Sequence, residues 1–166
     1  MPKLLILTRH AKSAWNTPAS GDHDRPLNDR GRRAATALGE WLADQGYHPD
    51  AVLSSDASRT REIWSLIANS LPQPETTFLP DLYLAPSQSM LDALRKYGSG
   101  QTLLLLGHNP GIASFAQLLA RHPATHDRFR DYPTGATTVM TFDAEMWQDV
   151  DWGSGTIKDF IVPREL

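Results

Sequence analysis

Residues 3–10, KLLILTRH, join a continuous apolar run of strand length to an arginine and a histidine. An apolar run without polar alternation is typical of a strand buried on both faces, as in a parallel sheet. Residues 51–54 (AVLS) and 102–106 (TLLLL) have the same character. Residues 137–142 (TTVMTF) and 157–162 (IKDFIV) are rich in β-formers but more mixed, which predicts positions nearer a sheet edge.

Helical patterns occupy the intervals between these strands. For the first helix, Asn28 is the expected N-cap and Gly46 the expected residue beyond its end. A second helix is predicted over about 57–71 and a third over about 87–97. The fourth is expected to begin at Asn109–Pro110, with the asparagine as cap and the proline as first helical residue. Strands that alternate with helices predict an α/β fold with a mostly parallel sheet.

The organisation of the chain predicts a single domain over residues 1–166. That length fits one hydrophobic core, and the sequence contains no internal repeat, low-complexity tract or linker. Residues 14–27 and 125–135 lack clear periodicity and are predicted to be irregular, the second ending in a Pro-Thr-Gly turn.

Composition excludes several classes of function. The formal net charge is -3, which argues against nucleic acid as the main partner, because such proteins usually carry a basic surface. Cysteine is absent, which excludes disulfides, thiolate catalysis and cysteine-ligated metals. The N-terminal apolar run is too short for a signal peptide, and no stretch approaches membrane-spanning length. We therefore expect a soluble cytoplasmic protein with no membrane association.

Basic and imidazole side chains collect where predicted strands end. Arg9 and His10 follow the first strand, Arg59 lies one helical turn after the second, and His108 with Asn109 follows the run at 102–106. Ligands of open α/β sheets bind outside the carboxyl ends of the strands. Guanidinium groups and a helix N-terminus both bind phosphate, and a neutral imidazole can attack phosphorus to form a covalent intermediate. These positions predict a phosphate site.

Each of these residues also has a simpler interpretation. An isolated Arg-His pair can lie at the surface, Arg59 could be a solvated helix residue, and His108 could bond a loop carbonyl. Their coincidence at strand ends favours a shared site. A mononuclear metal site built from His10, His108 and an aspartate is a further alternative, but two adjacent arginines would repel a divalent cation.

A set of ordered motifs covers nearly the whole chain and resembles the histidine phosphatase (phosphoglycerate mutase-like) superfamily, particularly its SixA branch of phosphohistidine phosphatases. An Arg-His pair alone is weak evidence, whereas the ordered set is specific. The motifs in chain order are Arg9-His10-Ala11-Lys12-Ser13, Arg25-Pro26-Leu27 with Gly31, residues 55–60 containing Arg59, Leu82-Tyr83-Leu84-Ala85, Gly107-His108-Asn109-Pro110-Gly111, and Pro133-Thr134-Gly135-Ala136.

The resemblance implies a three-layer α/β/α sandwich and an enzyme that needs no metal or other cofactor. It implies that His10 is the nucleophile and that Arg9 and Arg59 bind the phosphoryl group. His108 would be the second histidine, which donates to the phosphoryl oxygens. Backbone N–H groups near Asn109 would assist in substrate binding.

The chain departs from the superfamily pattern in two places. Ala11 replaces the glycine of the Arg-His-Gly signature, which matters only if the backbone there needs positive φ. Leu84 stands where many members carry a glutamate as general acid. Asp81 is the nearest candidate for that acid, and Asp22 and Asp24 lie in the loop after His10.

The missing acid bears on the substrate. A sugar or serine alkoxide needs protonation to leave, whereas imidazole leaves as a neutral ring with a pKa of about 6.5. We therefore expect a protein phosphohistidine phosphatase whose partner is a phosphorylated protein. Two alternatives remain open, namely a phosphatase for small phosphate monoesters and a non-catalytic phosphate-binding module.

Overall fold

The computed structural model describes residues 2–14 and 21–166. Within them, strands and helices alternate along most of the chain. The elements are β1 (Lys3–Arg9), α1 (Asp29–Gln45), β2 (Ala51–Ser55), α2 (Ser58–Ala68), β3 (Glu75–Leu79), α3 (Ser87–Tyr97), β4 (Thr102–Gly107), α4 (Gly111–Leu119), β5 (Thr137–Phe142) and β6 (Thr156–Ile161).

The strands of this part of the chain form one six-stranded sheet in the order β3-β2-β4-β1-β5-β6. The first four strands of that order are mutually parallel, and β5 runs antiparallel to both of its neighbours. The prediction of a mostly parallel sheet is confirmed, as is the placement of residues 157–162 near an edge. The opposite edge strand, β3, was not among the predicted strands, because its sequence ETTFL is short and half polar.

Alternate residues of the central strands face two separate cores. Ile6 and Leu104 pack with α1 and α2 on one face, while Leu5 and Leu105 pack with α3 and α4 on the other. Each fully buried leucine contributes roughly 1.5–3 kcal/mol to stability. The continuous apolar runs are therefore required by burial on both faces, and the three-layer α/β/α sandwich is confirmed.

The ends of α1 follow the predicted capping, whereas the start of α4 does not. The Asn28 side chain accepts a hydrogen bond from the Gly31 N–H at 2.9 Å, and Gly46 ends the helix in the left-handed conformation at φ 78°. The predicted asparagine cap of α4 is wrong. The helix begins at Gly111, Pro110 is its N-cap, and the Asn109 side chain bonds elsewhere. Helix α2 also ends earlier than predicted, at Ala68.

The region between β1 and α1 is only partly described. Of the irregular segment predicted at 14–27, residues 15–20 lie outside the described residues. A short helix, Asp22–Asp24, and a bridge between Ser13 and Leu27 lead into α1. The assignment of residues 1–166 to one domain stays a prediction. No helix in the described part of the chain has the length and apolar character that crossing a membrane requires.

Gly31 holds the first turn of α1 against the segment that follows His10. A Cβ at Gly31 would lie 2.1 Å from the carbonyl oxygen of Lys12. We expect Gly31→Ala to lower the free energy of unfolding by about 1–3 kcal/mol, although alanine is the better helix former. Urea denaturation would measure it, with Glu40→Ala as a control at an exposed position of the same helix. Unchanged or increased stability of Gly31→Ala would contradict this close packing.

Candidate active site

The carboxyl ends of three adjacent parallel strands bring the predicted site residues to one edge of the sheet. Arg9 is the last residue of β1, and Gly107, immediately before His108, is the last of β4. The His10 backbone N–H donates to the Gly107 carbonyl at 3.1 Å. The Gly135 N–H in turn donates to the His10 carbonyl at 2.8 Å. The backbone of His10 is therefore held from two sides.

The His10 ring is buried, and one nitrogen is already engaged. Nδ1 lies 2.7 Å from the carbonyl oxygen of Ala11, to which it donates its proton. A neutral ring with its proton on Nδ1 carries its lone pair on Nε2. Ala11 itself is buried and is not among the residues with positive φ, so the alanine in place of the signature glycine causes no backbone strain.

His108 lies beside His10, with the two ring centroids 5.3 Å apart. Its Nε2 is 2.8 Å from the hydroxyl of Ser55, the last residue of β2. That hydroxyl oxygen also accepts a bond from the Ala57 N–H, and its own proton needs an acceptor because the group is buried. We infer that Ser55 donates to Nε2, which places the imidazole proton of His108 on Nδ1.

Both predicted arginines lie near the two imidazole rings, and part of their hydrogen-bonding capacity is unused. We call the space among these four side chains the pocket. Arg9 Nη1 donates to the Tyr132 carbonyl at 3.1 Å. Arg59 is almost fully buried and donates through Nη1 and Nη2 to the Asp22 carbonyl and carboxylate, at 2.7 and 3.0 Å. The Nε atoms of both arginines and Nδ1 of His108 are buried and have no hydrogen-bond partner among the described residues. These three buried N–H donors are therefore unsatisfied within the described residues.

Burial keeps both imidazoles neutral. Desolvation is the largest cause that lowers the pKa of His10 to about 3. The hydrogen bond to Ala11 opposes this shift, and the charges of Arg9 and Arg59 add to it. Desolvation likewise lowers the pKa of His108 to about 3, followed by the charge of Arg59. An imidazole in this state retains the lone pair that a nucleophile requires.

Asp22 gathers the basic and phenolic groups on the open side of the pocket. Its carboxylate lies 3.0 Å from Arg59, 3.2 Å from Arg25 and 2.5 Å from the Tyr83 hydroxyl. The hydrogen bond from Tyr83 is the largest cause that lowers the pKa of Asp22, and Arg59 adds to it. The Tyr83 ring stands edge-on to His108, with centroids 5.4 Å apart. Asp22 is thus an ionised counter-charge for Arg59.

The other predicted site residues lie at the periphery. Asp81 is exposed on the short helix Pro80–Leu82, and its carboxylate makes no hydrogen bond or ion pair with a described residue. Leu84, at the position of the superfamily glutamate, is half exposed with φ 49°. The Asn109 amide donates to the carbonyls of Asp131 and Tyr132, at 2.8 and 3.1 Å. The roles of Asp81 as acid and Asn109 as substrate ligand stay predictions.

Sequence reasoning missed two contacts that position the site. The sequence predicts no role for Ser55, whereas the structure bonds it to His108 across 53 residues of sequence. The sequence indicates Asp22 only as a possible acid, whereas the structure pairs it with Arg59 across 37 residues. The only available signal was position, since Ser55 ends a buried strand at the same edge as Arg9.

The model of the histidine phosphatase superfamily (branch 1) matches residues 5–83 of this chain. The uncharacterized protein Rv1276c of Mycobacterium tuberculosis is 35% identical over 162 residues, which cover 94% of this chain and 99% of that protein.

Two solved structures are similar over nearly their whole length. A candidate phosphohistidine phosphatase SixA from Nakamurella multipartitia has a TM-score of 0.84 and 28% identity, covering 98% of this chain and 97% of that one. A candidate SixA from Agrobacterium tumefaciens has a TM-score of 0.79 and 27% identity, covering 98% and 99%.

The chain belongs to the histidine phosphatase superfamily, in its SixA-like branch. This membership supports a phosphatase activity. The pairing of two neutral imidazoles with two guanidinium groups is an arrangement that can accept and stabilise a phosphoryl group.

Ser55 provides a test of how His108 is oriented. We expect Ser55→Ala to let the His108 proton redistribute between its two nitrogens, because the hydroxyl that donates to Nε2 is gone. Nitrogen NMR of the imidazole would detect the change of tautomer. Ser54→Ala is the matched control, since that hydroxyl bonds only to the Ser55 carbonyl among the described contacts. An unchanged His108 tautomer in Ser55→Ala would contradict the assigned proton position.

The two buried histidines provide a test of the electrostatics. With pKa values of about 3, His10 and His108 should remain neutral from about pH 5 to 8, where an exposed imidazole titrates. Ring NMR titration would measure this, with His23 as the internal control. The half-buried His23 ring bonds to Asp56, which raises the pKa of His23 above its usual value. Titration of His10 near pH 6.5 would show that its environment is more hydrated than the structure indicates.

Proposed function

We propose that this protein is a metal-independent phosphatase that takes the phosphoryl group of its substrate onto His10 and then releases it to water. The observation that carries the proposal is the set of three buried N–H donors without an acceptor, on Arg9, Arg59 and His108. Unpaired buried donors are costly, and a phosphoryl group supplies oxygens to all three. The neutral His10 ring beside them supports a covalent mechanism.

The first step transfers the phosphoryl group. The lone pair of His10 Nε2 attacks phosphorus, the bond from phosphorus to the leaving atom breaks, and the electron pair departs with the leaving group. Arg9, Arg59 and the Nδ1–H of His108 would hold the negative charge spread over the three equatorial oxygens. The hydrogen bond from Nδ1 of His10 to Ala11 would stabilise the positive charge that develops on the ring.

The second step returns the enzyme to its starting state. Water attacks phosphorus, the bond from phosphorus to Nε2 breaks, and inorganic phosphate leaves with the oxygen and protons of that water. His10 regains its lone pair. The two guanidinium groups make a divalent cation at this position unfavourable, which supports a mechanism without metal. The part of the chain that the structure describes contains no group of three or more histidine, aspartate or glutamate side chains able to hold one.

We propose phosphohistidine as the substrate because the site is poorly equipped to donate a proton to a leaving group. Asp22 is ionised through Tyr83 and Arg59, so its carboxylate has no proton to give. An imidazole leaving group of pKa about 6.5 does not need one, whereas an alkoxide does. The likeness to candidate SixA proteins supports a phosphorylated protein as the partner. The expectations of a cytoplasmic location and of no nucleic-acid partner stay predictions.

A trapping experiment tests the covalent step. Brief incubation with radiolabelled phosphoimidazole followed by denaturing quench should leave label on the protein, in a bond that is labile to acid and stable to base. The label should disappear in His10→Ala and persist in His48→Ala, which removes an exposed histidine. A label that survives in His10→Ala would refute His10 as the nucleophile, and loss of turnover with a chelator would refute metal independence.

Turnover of matched substrates separates the substrate classes. We expect kcat/KM for phosphoimidazole to exceed that for phosphoserine by at least about a hundredfold, the usual scale of general acid catalysis that the ester lacks here. Asp81→Asn should change neither value by more than about twofold. Efficient phosphoserine hydrolysis that is lost in Asp81→Asn would instead establish Asp81 as the acid and favour a small-ester phosphatase. No turnover of either compound would favour a phosphate-binding module.

A further inference from the structure

A basic groove of about 700 Å³ lies beside the candidate active site. We use the name basic groove for the surface lined by five cationic side chains with small and apolar residues between them. The cationic members are Lys12, Arg30, Arg33, Arg128 and Arg164. No aspartate or glutamate is among its described lining residues. This is a local concentration of positive charge on a chain whose net charge is -3.

Most of this charge is uncompensated within the described residues. Arg128 pairs with Asp131 at 2.9 Å, but Lys12, Arg30, Arg33 and Arg164 form no ion pair there. All five side chains are exposed. Elsewhere on α1, by contrast, Arg32 pairs with both Asp29 and Glu62. The basic groove therefore presents free positive charge to an approaching molecule.

The basic groove lies at the same edge of the sheet as His10. Lys12 follows His10 by two residues, and Thr134 precedes the Gly135 whose N–H bonds to the His10 carbonyl. On the far side, Arg164 follows the end of β6, where Ile161 pairs with Thr137 at the start of β5. That end of β5 lies against Thr8 of β1, one residue before Arg9. The basic groove and the candidate active site therefore lie at the same end of the sheet.

We propose that the basic groove docks an acidic segment of the phosphoprotein substrate, next to the phosphohistidine that enters the pocket. This inference rests on the proposed function and specifies its partner. A site for a small anion is usually enclosed and places buried polar groups on its ligand. Here the cations are exposed side chains at the rim of an open surface, an arrangement that steers and orients a macromolecule. Ala37 and Leu166 add apolar surface for side chains of the bound segment.

Three synthetic peptides test the proposal. They share a central phosphohistidine and carry glutamate, glutamine or lysine at the flanking positions, and phosphoimidazole serves as a substrate without flanks. At low ionic strength we expect kcat/KM to be highest for the acidic peptide and at least about tenfold lower for the basic one. The double charge reversal Arg30→Glu, Arg33→Glu should abolish this preference and leave phosphoimidazole turnover unchanged.

The matched control is Lys96→Glu, Arg121→Glu, which changes the net charge equally. Both residues are exposed. Lys96 lies in the last turn of α3 and Arg121 follows the end of α4, so both are at the end of the sheet opposite to His10. This control should retain the preference for the acidic peptide. Equal kcat/KM for all three peptides, or an equal loss in both double variants, would overturn the docking proposal. A different result would also overturn it. Tripolyphosphate would inhibit phosphoimidazole turnover in a way that depends on Arg30 and Arg33, while the three peptides are hydrolysed without preference. Failure to hydrolyse phosphoimidazole would instead refute the proposed function.

Discussion

The hydrogen bond from Nδ1 of His10 to the Ala11 carbonyl is the contact on which the chemistry of this site depends. It fixes the proton on one nitrogen and leaves the lone pair on the other. Burial lowers the pKa of the ring far enough that the lone pair persists among positive charges. A nucleophile that is neutral can share a pocket with Arg9 and Arg59 without repulsion, whereas a protonated ring could not. The same low-dielectric surroundings strengthen the attraction of both guanidinium groups for a phosphoryl oxygen.

The sheet order explains how residues distant in sequence reach that pocket. β2, β4 and β1 are neighbours and parallel, so their carboxyl ends deliver Ser55, His108 and Arg9 to one edge. Close packing of the backbone then fixes the segments around the site. A Cβ on Gly111 would lie 1.8 Å from the Ala85 carbonyl, so glycine is required where α4 begins against that turn. The fold thus supplies a rigid cationic site, with the ionised Asp22 as a counter-charge for Arg59 on its open side.

The sequence predicted what depends on local pattern and failed where distant contacts decide. Fully buried strands produce continuous apolar runs, so the ends of β1 and β4, and the site residues after them, could be located. β3 lacks such a run and was missed. The cap of α4 was wrong because the Asn109 amide bonds to carbonyls more than 20 residues away instead of to its own helix. Ser55 and His108 are likewise joined only by the fold, and no spacing rule reveals that a serine sets the tautomer of a histidine.

The central claim is that His10 Nε2 and the three unpaired donors, on Arg9, Arg59 and His108, form a single binding site for a phosphoryl group. A crystal structure of the protein with vanadate, which adopts the trigonal-bipyramidal geometry of phosphoryl transfer, tests it most directly. The account predicts vanadium bonded to Nε2 of His10, with its equatorial oxygens accepting from Arg9, Arg59 and Nδ1 of His108. Vanadate bound in the basic groove alone, or a complex in which either arginine turns away from the oxygens, would contradict it.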